Sequence, residues 1–171
     1  MENAIAVGHV SLNLTELTLP NGLRVDQIEA NAAGMRISTN PVSAETPEPG
    51  QITARVKEAT LSEFLSTQLP SAVRQVDVQC VGGRIQVAVI AKVVFEIKAL
   101  AMCRLEIVDE QQIFVRVESI DPGGPIATLV EGQVDRVNPV FDARDLPVPT
   151  RLLRAESTEG ELRVFGEFQL S

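Results

Sequence analysis

The sequence predicts an α+β, mostly β domain in which an elongated, curved antiparallel sheet wraps two amphipathic helices. Three observations carry this reading. Apolar and polar residues alternate with period two from Ile85 to Ile107, the signature of a strand with one buried face. Glycine-marked turns separate further alternating segments, as between the arms of hairpins. Two other stretches place apolar residues at helical spacing between helix start and stop signals, which predicts amphipathic helices.

Taken in order, Leu23 to Ala32 is extended, with a phase slip near Gln27 that suggests a β-bulge. Gly34 then marks a hairpin turn, and Asn40 to Gly50, with Pro41, Pro47 and Pro49, reads as a surface loop. Thr60-Leu61-Ser62-Glu63 has the form of a capping box, in which a hydroxyl and a carboxylate three residues later satisfy free backbone N–H groups. Leu61, Phe64, Leu65 and Leu69 follow on one helical face, and Pro70 ends the segment. Gly82-Gly83 marks a second hairpin.

Beyond it every odd position to Ile107 is apolar, including Val89, Val93, Phe95, Ile97, Ala99, Ala101 and Cys103. No Gly or Pro interrupts the pattern. At about 3.3 Å per residue an unbroken strand would run on the order of 75 Å, far beyond usual strand lengths. The expectation is therefore one very long curved strand, or one bent at an unmarked bulge. A turn at Val108 to Gln111 leads into Ile113, Val115 and Val117, completing a long hairpin. A second helix follows Asp121-Pro122-Gly123-Gly124-Pro125, with Ile126, Leu129, Val130, Val134 and Val137 as its apolar stripe and Asn138-Pro139 as its end. Glu159-Gly160 marks the last hairpin, and Leu162, Val164, Gly166, Phe168 and Leu170 alternate along the C-terminal strand.

The length of 171 residues fits a single domain over residues 1–171. With no Trp, no Tyr and six Phe, the core must be built mainly from aliphatic side chains. A net charge of -8 without any run of Lys or Arg argues against nucleic acid as a partner, because an acidic surface repels phosphate backbones. The first ten residues lack the basic and apolar regions of a signal peptide. Lys92, Glu96 and Lys98 interrupt the most apolar stretch and argue against a membrane span. The expected location is cytoplasmic or membrane-peripheral.

The chemistry-bearing residues do not assemble into a catalytic pattern. His9 is the sole histidine, so neither a nucleophile–histidine pair nor a zinc site has its parts. Cys80 and Cys103 are read as reduced, apolar-packing thiols, with a single disulfide as the alternative. Asp135, Asp142 and Asp145 lie among Arg136 and Arg144 and are read as solvated charges and ion pairs. Asp121 to Pro125 lacks the spacing of a phosphate-binding loop and is read as a turn into the helix. The expectation is a non-enzyme with no catalytic residue, no metal and no cofactor.

Small residues at Ala91, Ala99, Ala101 and Cys103 narrow the predicted buried face, which leaves room either for close helix packing or for an elongated apolar groove. Three segments then resemble the LmeA-like family of bacterial proteins. They are Ile52 to Pro70, the Asn138-Pro139-Val140-Phe141-Asp142 run, and Leu146-Pro147-Val148-Pro149 with the Glu159 to Val164 hairpin; together they span roughly Ile52 to Leu170. The resemblance implies a β-rod similar to the tubular lipid-binding proteins, phospholipid binding along an apolar groove, and a cell-envelope role, and it implies no catalytic residues. On this reading Leu61, Phe64, Leu65, Leu129 and Val130 form one wall for a phospholipid or fatty acyl ligand, and Val89, Val93, Phe95, Ile97, Ala99, Ala101 and Cys103 form the other. The competing expectation is a structural or protein-interaction domain with a filled core and no small-molecule ligand.

Overall fold

The computed structural model describes residues 3–92 and 94–171. Six strands come first: β1 (Ala4–Val7), β2 (Val10–Thr18), β3 (Arg24–Ala32), β4 (Met35–Thr39), β5 (Val42–Glu45) and β6 (Gly50–Lys57). Helix α1 (Glu58–Gln68) leads to β7 (Val73–Val81), β8 (Arg84–Lys92), β9 (Glu96–Val108) and β10 (Gln112–Asp121). Helix α2 (Pro125–Val137), β11 (Phe141–Asp142), a 3-10 turn (Ala143–Asp145), β12 (Thr150–Thr158) and β13 (Glu161–Phe168) complete the order. The fold is mostly β with two helices, and its antiparallel sheet curls into a half-barrel.

The expected continuous sheet is instead three sheets among the described residues, ordered β1-β4-β5, β11-β10-β9-β8-β7 and β12-β13-β6-β3-β2. The long alternation is likewise two strands, not one. Lys92 pairs with Glu96, and the register continues through Val89↔Ala99 and Val87↔Ala101 to Ile85↔Cys103. Three residues separate the paired ends, so opposite residues share parity. Residues opposed across an antiparallel pair point to the same face. The odd apolar stripe therefore passes through the hairpin without a change of phase, and the pattern carries no mark of the turn.

Other turns behave as their chemistry requires. Gly82 and Gly83 connect β7 to β8 with φ of 58° and 79°, the left-handed pair of a type I′ hairpin. Gly34, expected to close a hairpin, does not: β3 pairs with β2 and β6, whereas β4 pairs with β1 and β5, so the chain changes sheet there. The expected bulge near Gln27 is also absent. The β2–β3 register runs unshifted from Val10↔Ala32 to Thr18↔Arg24. The phase slip is one of burial, from Val25 to Ile28, and Glu16 on the partner strand takes a φ of 57° at that level. The segment read as a loop from Asn40 to Gly50 holds β5 and the start of β6. Gly50 belongs there because a Cβ would lie 2.3 Å from the Phe168 ring and 2.8 Å from the Asn31 carbonyl.

Buried apolar residues form one cluster running through both five-stranded sheets and both helices. Val25, Val56, Ala91, Cys103 and Ile113 are fully enclosed. Helix α1 packs on β7 and also touches β3 and β6, so it lies between the two large sheets; β12 packs against β9 and β7.

Candidate functional site

The site is built by two helices laid on the β7–β10 face. Helix α1 is fixed by polar contacts at its start. Its predicted capping box is not used: the helix begins at Glu58, three residues early, and no side chain of the N-cap residue Lys57 caps it. Asp26, from β3, takes that role across the fold. Its carboxylate accepts the Lys57 N–H at 2.7 Å and the Thr60 hydroxyl at 2.9 Å, placing negative charge at the positive end of the helix. The Thr60 hydroxyl is buried and engaged with this tertiary partner, so local pairing with Glu63 is not needed.

The same helix covers the outer edge of β7. The Val78 N–H donates to the Ser62 hydroxyl at 2.9 Å, and the Cys80 N–H donates to the Glu58 carboxylate at 2.6 Å. Two amides of an edge strand are thus satisfied by helix side chains. Helix α2 starts at Gly124-Pro125 and ends at Asn138, as its sequence signals predict. The Asn138 side chain donates to the Val115 carbonyl at 2.9 Å and accepts the Val115 N–H at 2.8 Å, pinning the end of α2 to β10.

Between these helices lies an apolar cavity. Leu61, Phe64 and Leu65 line it from α1, Leu69 from that helix's C-cap, and Ile126, Leu129, Val130, Gln133, Val134 and Val137 from α2. The sheet contributes Val73, Val76, Val78, Ile85, Val87, Val89, Ala101, Leu105 and Val115; Val140 and Leu162 also reach it. Gln133 is the one polar residue in this lining. The void is about 70 Å³ and opens to solvent on one side. Such a cavity offers no acid, base or nucleophile. It can desolvate an apolar group and little else.

Seven of the residues expected to line a groove meet here: Leu61, Phe64, Leu65, Val89, Ala101, Leu129 and Val130. Four do not. Ala99 and Cys103 are buried on the same strand face, but the longer Val89 and Ile85 opposite them form the wall. Ile97 is half-buried and lies outside the lining. Phe95 lies just before β9 and is 77% exposed, because the alternation there marks a turn and not a strand. Val93 lies outside the described residues. The β7 contribution was missed although Val76, Val78 and Cys80 alternate as clearly as β8 does.

The two cysteines and Asp142 are engaged in packing and ion pairing. Cys80 and Cys103 are both free and buried. Burial pushes the Cys103 thiol up to about 11, with the Glu118 charge adding to it. Burial also raises Cys80, against a hydrogen bond from Ser157 that lowers it. The Arg144 guanidinium beside Asp142, with the Gln112 amide and the Arg144 N–H, holds the Asp142 carboxyl well below the usual carboxylate range. That carboxylate caps the 3-10 turn. Among the described residues no group of three or more His, Cys, Asp or Glu could hold a metal ion. No helix among them is long and apolar enough to cross a membrane. The model of a family described as LmeA-like phospholipid-binding matches residues 6–167, well beyond the Ile52 to Leu170 span visible in the motifs. No curated protein and no solved structure matches the chain.

Proposed function

Because the chain belongs to the LmeA-like phospholipid-binding family, we propose that it binds a phospholipid by taking an acyl chain into the cavity between α1, α2 and the β7–β10 face. The observation that carries this reading is the lining: a wall drawn from seven elements with a single polar side chain, Gln133. A core with no ligand to hold is closed by its own side chains to near-crystalline density. Here the walls leave unfilled apolar space instead.

The void of about 70 Å³ is too small for a whole acyl chain. One wall must therefore move outward on loading. Helix α2 is the wall suited to do so. Only Ile126 and Val130 of its stripe are buried; Leu129, Val134 and Val137 are half-buried. Each methylene taken from water stabilises the complex by about 0.8 kcal/mol. Ten of them contribute roughly 8 kcal/mol, on the scale of the roughly 4–15 kcal/mol that association costs. The role is binding, without catalysis, at or near a membrane that supplies the lipid, with transfer between membranes or handling of envelope lipid as its use. A filled-core interaction domain, the competing expectation, leaves this void without an occupant.

The test is native mass spectrometry of freshly purified protein, before and after incubation with phosphatidylcholine–phosphatidylglycerol vesicles, followed by organic extraction. A discrete adduct that extracts as phospholipid is expected. A clean unliganded mass in both samples refutes the proposal.

A further inference from the structure

The β8–β9 hairpin ends in large apolar side chains that face solvent. Val94 is 76% exposed and Phe95 77% exposed. The other five Phe residues are buried or half-buried, so Phe95 alone is left in water, where an apolar ring is least stable. The charges around it run against those of the molecule. The chain carries -8 overall and has three lysines. Two of them, Lys92 and Lys98, flank this tip and are exposed, as is Arg74 on the neighbouring strand. Lys92 and Lys98 occupy even positions of the hairpin, on the face opposite the odd-numbered cavity residues Val89 and Ala101. Glu96, paired with Lys92, is the one acid on the hairpin end. None of the ion pairs among the described residues uses Lys92, Lys98 or Arg74.

The tip also adjoins one end of the cavity. The Lys92 N–H donates to the Ala72 carbonyl at 2.8 Å, and Val73, which lines the cavity, pairs with Ala91. Leu69, at the end of α1, lines the same end.

We infer that the Val94-Phe95 tip, flanked by Lys92, Lys98 and Arg74, docks the protein on the surface of a bilayer containing anionic phospholipid. The apolar side chains enter the interface while the cations meet the headgroups. The rest of the surface, being acidic, is repelled, so docking is oriented with the Leu69–Val73 end of the cavity toward the lipid. This inference rests on the phospholipid reading of the cavity.

Sedimentation of the full chain with two kinds of vesicle tests it: equal parts phosphatidylcholine and phosphatidylglycerol, and phosphatidylcholine alone. Cavity loading is measured separately, with a short-chain phosphatidylcholine supplied as monomers. Wild type is expected to sediment with the anionic vesicles. Phe95→Asp should weaken this roughly tenfold or more, and Lys92→Glu with Lys98→Glu should do the same only where phosphatidylglycerol is present. All variants should load monomeric lipid as wild type does, which also shows that they are folded. Loss of sedimentation with loading intact supports the docking tip. Equal sedimentation of wild type and Phe95→Asp, or no sedimentation of wild type, overturns it and leaves the cavity reading standing. Phe95-dependent sedimentation by a protein that loads no monomeric lipid supports docking and removes the cavity reading.

Discussion

Replacing Ala101 with Leu fills the cavity from its floor. Ala101 is 1% exposed, lines the void, and sits on β9 between Val87 of β8 and Ile120 of β10. The change adds three carbons to a space otherwise available to ligand. If each displaces one buried methylene of the acyl chain, binding loses about 3 × 0.8, or roughly 2.4 kcal/mol. At 1.4 kcal/mol per factor of ten, affinity falls about 50-fold. Stability should change little. The same carbons gain up to roughly 2.4 kcal/mol of burial in the unliganded protein, offset by about 1–3 kcal/mol of overpacking strain. The net, within about 1 kcal/mol, shifts Tm by no more than about 4 °C. The assay is displacement of a fluorescent fatty acid by unlabelled phospholipid, with calorimetry on the same sample. The companion variant Ala99→Leu, on the same strand face but outside the lining, should lose stability by overpacking and keep its lipid affinity. A folded Ala101→Leu protein that binds phospholipid as tightly as wild type would refute the reasoning. Equal affinity loss in both variants would refute the distinction drawn between the two alanines.

Further predictions concern what holds the site in place. Asp26→Ala removes the acceptor for the Lys57 N–H and the Thr60 hydroxyl; urea unfolding should show a loss of about 1–2 kcal/mol, and an unchanged midpoint would mean that α1 is not anchored there. Gly50→Ala drives a Cβ into the Phe168 ring, and should cost roughly 1–3 kcal/mol, partly restored by adding Phe168→Leu; no recovery would place the clash at the Asn31 carbonyl instead. The Cys103 thiol, pushed from an ordinary 9.0 to about 11, keeps its proton in the folded protein where the unfolded chain has lost it. Folding therefore binds more protons across that range, and the stability from this group is fully present below about pH 9 and lost as pH rises toward about 11. Chemical denaturation at a series of alkaline pH values should show this decline, and Cys103→Ala should flatten it. At neutral pH a thiol reagent should leave both cysteines unmodified until denaturant is added.

The two helices, the C-terminal strand and most strand faces were legible because they depend on local signals. Pro125 and Asn138-Pro139 bound α2 in the sequence as they do in the structure. The alternation from Glu161 to Phe168 is the burial pattern of β13 residue by residue. Part of the cavity wall was legible for the same reason: Leu61, Phe64, Leu65, Leu129 and Val130 share helical faces, and one side of any amphipathic helix must meet apolar surface.

What remained for tertiary structure were matters of pairing and depth. The hairpin between Lys92 and Glu96 is invisible in the sequence because a three-residue separation keeps the odd stripe in phase, and so the pattern places Phe95 in a groove although it stands in solvent. Gly34 announces a turn in any context, yet only long-range pairing sends β4 to β1 instead of back along β3. The Thr60 to Glu63 box was available locally and lost to Asp26, thirty-four residues from Thr60 in sequence. Alternation likewise places Ala99, Ala101 and Cys103 on one face without saying which reaches the void. That depends on the lengths of the residues opposite and on where the helices cross the sheet. The sequence by itself determined which side chains leave water; the tertiary structure decided which of them face one another and which face an opening, because hydrophobic burial is non-directional while strand register and helix placement are not.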